Sequence, residues 1–248
     1  MDRVRSLTSH DLATGQMLFR LTSLEDPSLQ CSAEGEEVTD AVGSLITTLY
    51  RSKKATFSAT NSLISLDLAA AQYGTKKEVA TDSSKIVVPT YEILTVADGK
   101  ITLSHTPVED VKYIYSIANN EVGSVYTAGT AASATEFLQD GVTITVPTDV
   151  TGKIYVEYKY ETDSAIRITN KASEFPEACS VVIYAYFRDK CNENLVYSGK
   201  IICPKAKLSP EQIELALTST GKHAFELNMM KDFCDESNDE LFSIIVSE

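Results

Sequence analysis

At 248 residues, with 43% hydrophobic and 23% charged side chains, the chain can hold one large or two modest domains, and its composition excludes a disordered polypeptide. A formal net charge of −13, from 22 Lys and Arg against 35 Asp and Glu, disfavours tight nucleic-acid binding through phosphate neutralisation. The five cysteines are odd in number and widely spaced, without C-x-x-C or C-x-x-H. That pattern speaks for buried reduced thiols rather than a zinc site or a disulfide framework.

MDRVRSLTSHDL lacks the apolar core of a signal peptide, and N-x-[ST] does not occur. Apolar runs such as Ser180–Phe187 have the length of a buried strand, not of a membrane span. These features predict a protein made and used without secretion and without a membrane partner.

In chain order, residues 1–37 are polar and read as an arm or assembly segment that orders against something else, with terminal fraying an equal reading. From Val38 to Ala59 the pattern is β-like, interrupted by RSKK as a basic turn. SLISLDLAAAQY predicts a helix over 62–73, capped by Asn61 or Ser62, with a stripe of Leu63, Leu66, Ala70 and Tyr73 and Gly74 as its C-terminal stop. TKKEVATDSSK is a charged connector. Residues 86–170, with 5 Lys and Arg against 11 Asp and Glu (net −6), read as short strands joined by tight turns at Asp98-Gly99 and Asp140-Gly141. In GKIYVEYKYE, Ile154, Val156, Tyr158 and Tyr160 share one face and Tyr155, Glu157, Lys159 and Glu161 the other. The spacing predicts a small immunoglobulin-like sandwich, without the Trp and Cys core of antibody domains. After FPEA come longer strands: Cys179–Arg188 and Leu195–Cys203 around the loop DKCNEN, then QIELALTSTG, KHAFELNMMKDF, an acidic loop and LFSIIVS. The layout places 86–170 as an insertion within a domain built from 38–85 and 171–248.

The search for chemistry returns nothing positive. TSTGKHAF fails as a phosphate loop, with Ala216 where Walker A needs Gly and His223 where it needs Ser or Thr. His10, His105 and His223 are far apart and outside any H-E-x-x-H. The acids at 232–240 lack the calcium-loop pattern and its glycine. The tyrosines of 155–160 read as cross-strand packing rather than stacking on bases or sugars. No catalytic, cofactor-binding or metal residue is assigned, no cofactor is expected, and the chain is read as a non-enzyme.

KKATFSATNSLISLDLAAAQYGTKKEVA, NKASEFPEACSVVIYAYFRDKC, GKIICPKAKL and LFSIIVSE resemble tail tube (major tail) proteins of tailed bacteriophages, over roughly residues 38–85 and 165–248. The segment from ITLSHTPVEDVKYIY to GKIYVEYKYE resembles the immunoglobulin-like modules of phage structural proteins. The resemblance implies a mainly β chain, with a tail-tube-type β-sandwich or barrel flanked by one helix and an inserted immunoglobulin-like sandwich. It implies a virion tail subunit, assembled in the host cytoplasm into stacked hexameric rings. These would hold the tape measure protein, meet tail completion proteins and pass DNA non-specifically at ejection. Glu174, Glu177, Asp189 and Glu193, which flank the strongest tube-domain hairpin, are the candidate lumen-facing acids, and a solvated strand edge is an equal reading of each. The competing reading is a head-decoration, tail-fibre or adhesin-type binding module.

Overall fold

The computed structural model describes residues 3–192, 194–211, 213–216, 221–233 and 239–247. In chain order the elements are β1 (Arg3–Asp11), β2 (Met17–Leu21), β3 (Leu24–Thr39), β4 (Leu45–Asn61) and α1 (Leu66–Tyr73). Next come β5 (Glu78–Val79), β6 (Ile86–Thr95), β7 (Lys100–Thr102), β8 (Tyr113–Ala118), β9 (Glu121–Ala128), β10 (Glu136–Asp140), β11 (Thr143–Thr145), β12 (Lys153–Thr162) and β13 (Ile166–Arg167). The chain closes with β14 (Ala178–Arg188), β15 (Val196–Leu208), β16 (Glu214–Ala216), β17 (Lys222–Met229) and β18 (Ser243–Ser247). The protein is mainly β, as its sequence predicts. No helix among the described residues is long and apolar enough to cross a membrane.

The chain divides into two compact units, Met1–Lys77 with Ile168–Glu248, and Glu78–Arg167. In the first, a nine-stranded sheet runs β2-β1-β14-β15-β17-β4-β3, with β16 beside β17 and β18 beside β15. The sheet curls into a nearly closed barrel around one core that includes Leu7, Phe57, Ile183, Leu208, Phe225 and Leu227. Period-two alternation builds this core: Cys179, Val181, Ile183 and Ala185 of β14 point inward, and Ser180, Val182, Tyr184 and Tyr186 point out. Each fully buried aliphatic or aromatic side chain contributes about 1.5–3 kcal/mol.

Three details depart from the sequence reading. Residues 1–37 do not form a separate arm: β1 pairs along its length with β14, so it lies inside the sheet. RSKK is not a turn. The chain turns at Asp40–Ser44, where the Asp40 carboxylate accepts from the Val42 and Ser44 amides, and β4 continues through Arg51–Lys54 with an irregularity at Ser52 (φ 51°). The helix is capped by Ser65, not by Asn61 or Ser62, and buries Leu68, Ala69, Ala70 and Gln72. The predicted stripe is thus rotated, leaving Leu63 and Leu66 exposed. Asn61 instead ends β4, and the Ser62 hydroxyl donates to Glu25. Gly74 stops the helix in the left-handed region, as expected (φ 69°).

The second unit is a seven-stranded sheet, β6-β12-β8-β9-β10-β11-β7, folded over its own core of Ile114, Phe137, Ile144, Ile154 and Val156. Its first and last long strands, β6 and β12, pair antiparallel from end to end. This order differs from the ABED and CFG grouping of an immunoglobulin constant-type sandwich. The chain enters and leaves the unit side by side: β5 pairs with β13, and Arg167 donates to Glu78 at 2.6 Å.

Candidate assembly surfaces

The longest element pair is the β3–β4 hairpin. Near the sheet, Ala55, Phe57, Ala59 and Asn61 are buried in alternation, the signature of a strand with one covered face. Beyond Ala55 the alternation stops, and every residue from Ala33 to Lys54 is exposed except the half-buried Thr48. Ten residues of β4, Leu45–Lys54, therefore extend beyond the core, roughly 30 Å of strand. Arg51 pairs with Glu36 and Lys54 with Glu34, which ties the two arms together by charge. Val42, Leu45, Ile46, Leu49 and Tyr50 lie bare near its tip. An isolated hairpin with apolar residues on show is a surface that invites a partner.

A second open feature is β18. It pairs with β15 from Ser198 to Ile202, and its three consecutive apolar residues Ile244, Ile245 and Val246 are each about half exposed. Consecutive residues of a strand point to opposite faces, so neither face of β18 is covered. Such an edge can accept another strand.

α1 is anchored by a buried polar network. His223 of β17 is fully buried; its Nδ1 accepts from the Ser65 amide at 3.4 Å and its Nε2 meets Gln72 Oε1 at 2.5 Å. This geometry requires the neutral tautomer with its proton on Nε2. Burial pushes the imidazole pKa below its ordinary value. His223 is a packing residue that locks the helix cap to the sheet.

Of the candidate lumen acids, Glu174 and Glu177 precede β14 and Asp189 follows it. Glu174 pairs with Lys171 at 2.7 Å in the loop before β14. Glu177 borders a depression of about 410 Å³ whose lining includes Asp11, Asp67, Lys76 and Lys77. Asp189 lies past the other end of β14, where its carboxylate accepts from the Cys191 and Asn192 amides at 2.7 and 2.9 Å. Those bonds hold its pKa below the usual carboxylate range and give it a turn-capping task. Glu193 lies outside the described residues, as do Thr218–Thr220 of the failed phosphate loop and Cys234, Asp235 and Glu236. Elsewhere in the acidic loop Asp232 pairs with Lys205 and Asp239 with Lys231. Among the described residues no group of His, Cys, Asp or Glu has the arrangement of a metal site.

The bare hairpin and the exposed β18 edge are the surface features that sequence reasoning missed. The signal for the hairpin was present: Glu34 and Glu36 form ion pairs with Lys54 and Arg51 on the other arm, flanking the Asp40–Gly43 turn.

No curated protein matches the chain. The family model of the YomU/Tube protein family matches residues 2–244, nearly the whole chain, both units included. The chain belongs to the YomU/Tube protein family, a phage-type family.

Proposed function

We propose that this chain is a tail tube subunit that assembles into hexameric rings, which stack into the conduit for DNA ejection. The observation that carries the reading is the β3–β4 hairpin, whose outer half is bare on both faces and rich in apolar residues at its tip. Such an element contributes nothing to its own core and gains its burial from a neighbouring subunit. The open β18 edge supports lateral strand pairing between subunits within a ring. The work of the protein is then geometric rather than catalytic. In this reading the bore encloses the tape measure protein until ejection, tail completion proteins close the ends, and assembly takes place in the host cytoplasm. The net charge of −13 keeps passing DNA from adhering. Glu174, Glu177, Asp189 and Glu193 are the proposed bore-facing acids.

The test is the double variant Ile46→Lys, Leu49→Lys. Both side chains are exposed, so the unfolding free energy of the isolated subunit should stay within about 0.5 kcal/mol of the parent. The variant is expected to lose long stacked assemblies seen by electron microscopy under conditions where the parent forms them. Stacking equal to that of the parent would remove the hairpin from the account.

A further inference from the structure

The second unit turns its aromatic residues outward. The inner face of β12 supplies Ile154, Val156 and Tyr158 to the core, and its outer face carries Tyr155, Glu157 and Lys159. Ile93, Tyr155, Tyr115 and Val125 form one row across β6, β12, β8 and β9, and Tyr91 stands opposite Glu157 in the next row. The Tyr91 and Tyr155 rings stack with centroids 5.5 Å apart at 26°, and Tyr115 meets Tyr155 edge-on at 6.1 Å. Tyr91 is 63% exposed and Tyr113 52%, so neither ring is held for the sake of the core. The Tyr155 hydroxyl donates to Glu157, which fixes that carboxylate among the rings. Two open depressions flank the Glu157–Lys159 stretch: one of about 210 Å³ bordered by Glu109, Asp110, Tyr113 and Tyr115, the other of about 470 Å³ bordered by Pro89, Thr90 and Tyr91.

We infer that this tyrosine face is a binding surface for a neutral polysaccharide. A pyranose ring has an apolar C–H face that stacks on an aromatic ring and a rim of hydroxyls that bond to carboxylate, ammonium and phenol. The face offers these complements side by side: exposed tyrosine rings, Glu157 as acceptor and Lys159 as donor. The charge argues against polyanions and against a second copy. Bases also stack on tyrosine, but unit 78–167 carries 6 Lys and Arg against 13 Asp and Glu, so phosphates and acidic sugars are repelled. A second copy placed face to face would bring together two surfaces that each carry Glu157, Glu109 and Asp110, crowding like charges. The inference stands on the side chains of this unit and does not depend on the tube reading.

The chain has no tryptophan, so its intrinsic fluorescence reports tyrosines directly. The experiment uses the full chain in native affinity electrophoresis through gels containing dextran, galactomannan or a soluble β-glucan, with tyrosine fluorescence titrations in parallel. Hyaluronate and oligo(dT) serve as anionic controls. The expected result is retardation by at least one neutral polymer and a fluorescence change on binding it. Tyr91→Ala with Tyr115→Ala should weaken that binding by about tenfold or more while the circular dichroism spectrum stays unchanged. Tyr91→Phe, which keeps the ring, should bind within a few-fold of the parent. Four results would overturn the inference: no retardation in any neutral gel, binding that survives the double alanine variant, salt-sensitive binding to the anionic controls alone, or self-association that the alanine variant abolishes.

Discussion

Replacing Ile154 by alanine should destabilise one unit and leave the other unchanged. Ile154, the second residue of β12, is completely buried within the cluster that includes Ile114, Phe137 and Ile144. Truncating a buried isoleucine removes its transfer free energy and leaves a cavity, a loss of about 2–5 kcal/mol. The unit spans Glu78–Arg167, which is 90 residues (167 − 78 + 1), and at this size each kcal/mol moves the unfolding midpoint by about 4–8 °C. The transition of this unit should therefore fall by roughly 8–40 °C. The other unit has its own core, including Leu7, Phe57 and Ile183, and its transition should move by less than about 2 °C. The assay is differential scanning calorimetry at a concentration where the protein is monomeric, with Ile183→Ala as the mirror experiment. A single transition, or two that fall together in either variant, would refute the independence of the units.

Gly74→Ala should destabilise the first unit by about 2 kcal/mol or more. Its φ of 69° disfavours a side chain, and a Cβ there would sit 2.1 Å from the Phe175 carbonyl oxygen. A urea midpoint unchanged from the parent would contradict that contact. The buried His223 gives the fold a mild acid sensitivity. Its folded pKa lies below the unfolded value, so its contribution to stability is complete above the unfolded pKa and is lost as pH falls through that value toward the folded one. Urea midpoints should drop between about pH 7.5 and about pH 5.5, a window above the carboxylate titrations, and the drop should shrink in His223→Gln. An equal drop in the variant would assign the effect elsewhere.

Much of this architecture is legible where local chemistry dictates it. Asp98 and Gly99 both take positive φ, 52° and 70°, between Ala97 and Lys100, which form an antiparallel bridge, and the Asp-Gly pair announces this turn. Asn119-Asn120 makes the same kind of turn, with φ of 54° and 63°, and the sequence reading passed over it. Gly74 as helix stop was readable, but the cap was not. Three serines or asparagines stand in reach of the first turn, and the two nearer to β4 are held by strand pairing and by Glu25.

Long-range pairing hid the rest. β1 carries Ser6, Thr8 and Ser9 at buried positions, so its composition reads as a polar arm, and the covering strands lie far away in sequence. RSKK has the look of a turn until its cross-strand partners Glu34 and Glu36 are known, 20 and 15 residues away. For the acids around β14, period-two alternation separates the faces of a strand but cannot rank its ends. Asp189 proved to cap a turn, and Glu174 to pair with its neighbour Lys171.

The central claim is assembly into a tube, and electron microscopy of the purified full chain across a concentration and salt series tests it most directly. The account predicts stacked rings around a hollow bore, with six subunits in projections down the axis. Discrete particles without a central hole at every concentration and salt would contradict it and would leave the second unit, with its tyrosine face, as the working part of the molecule.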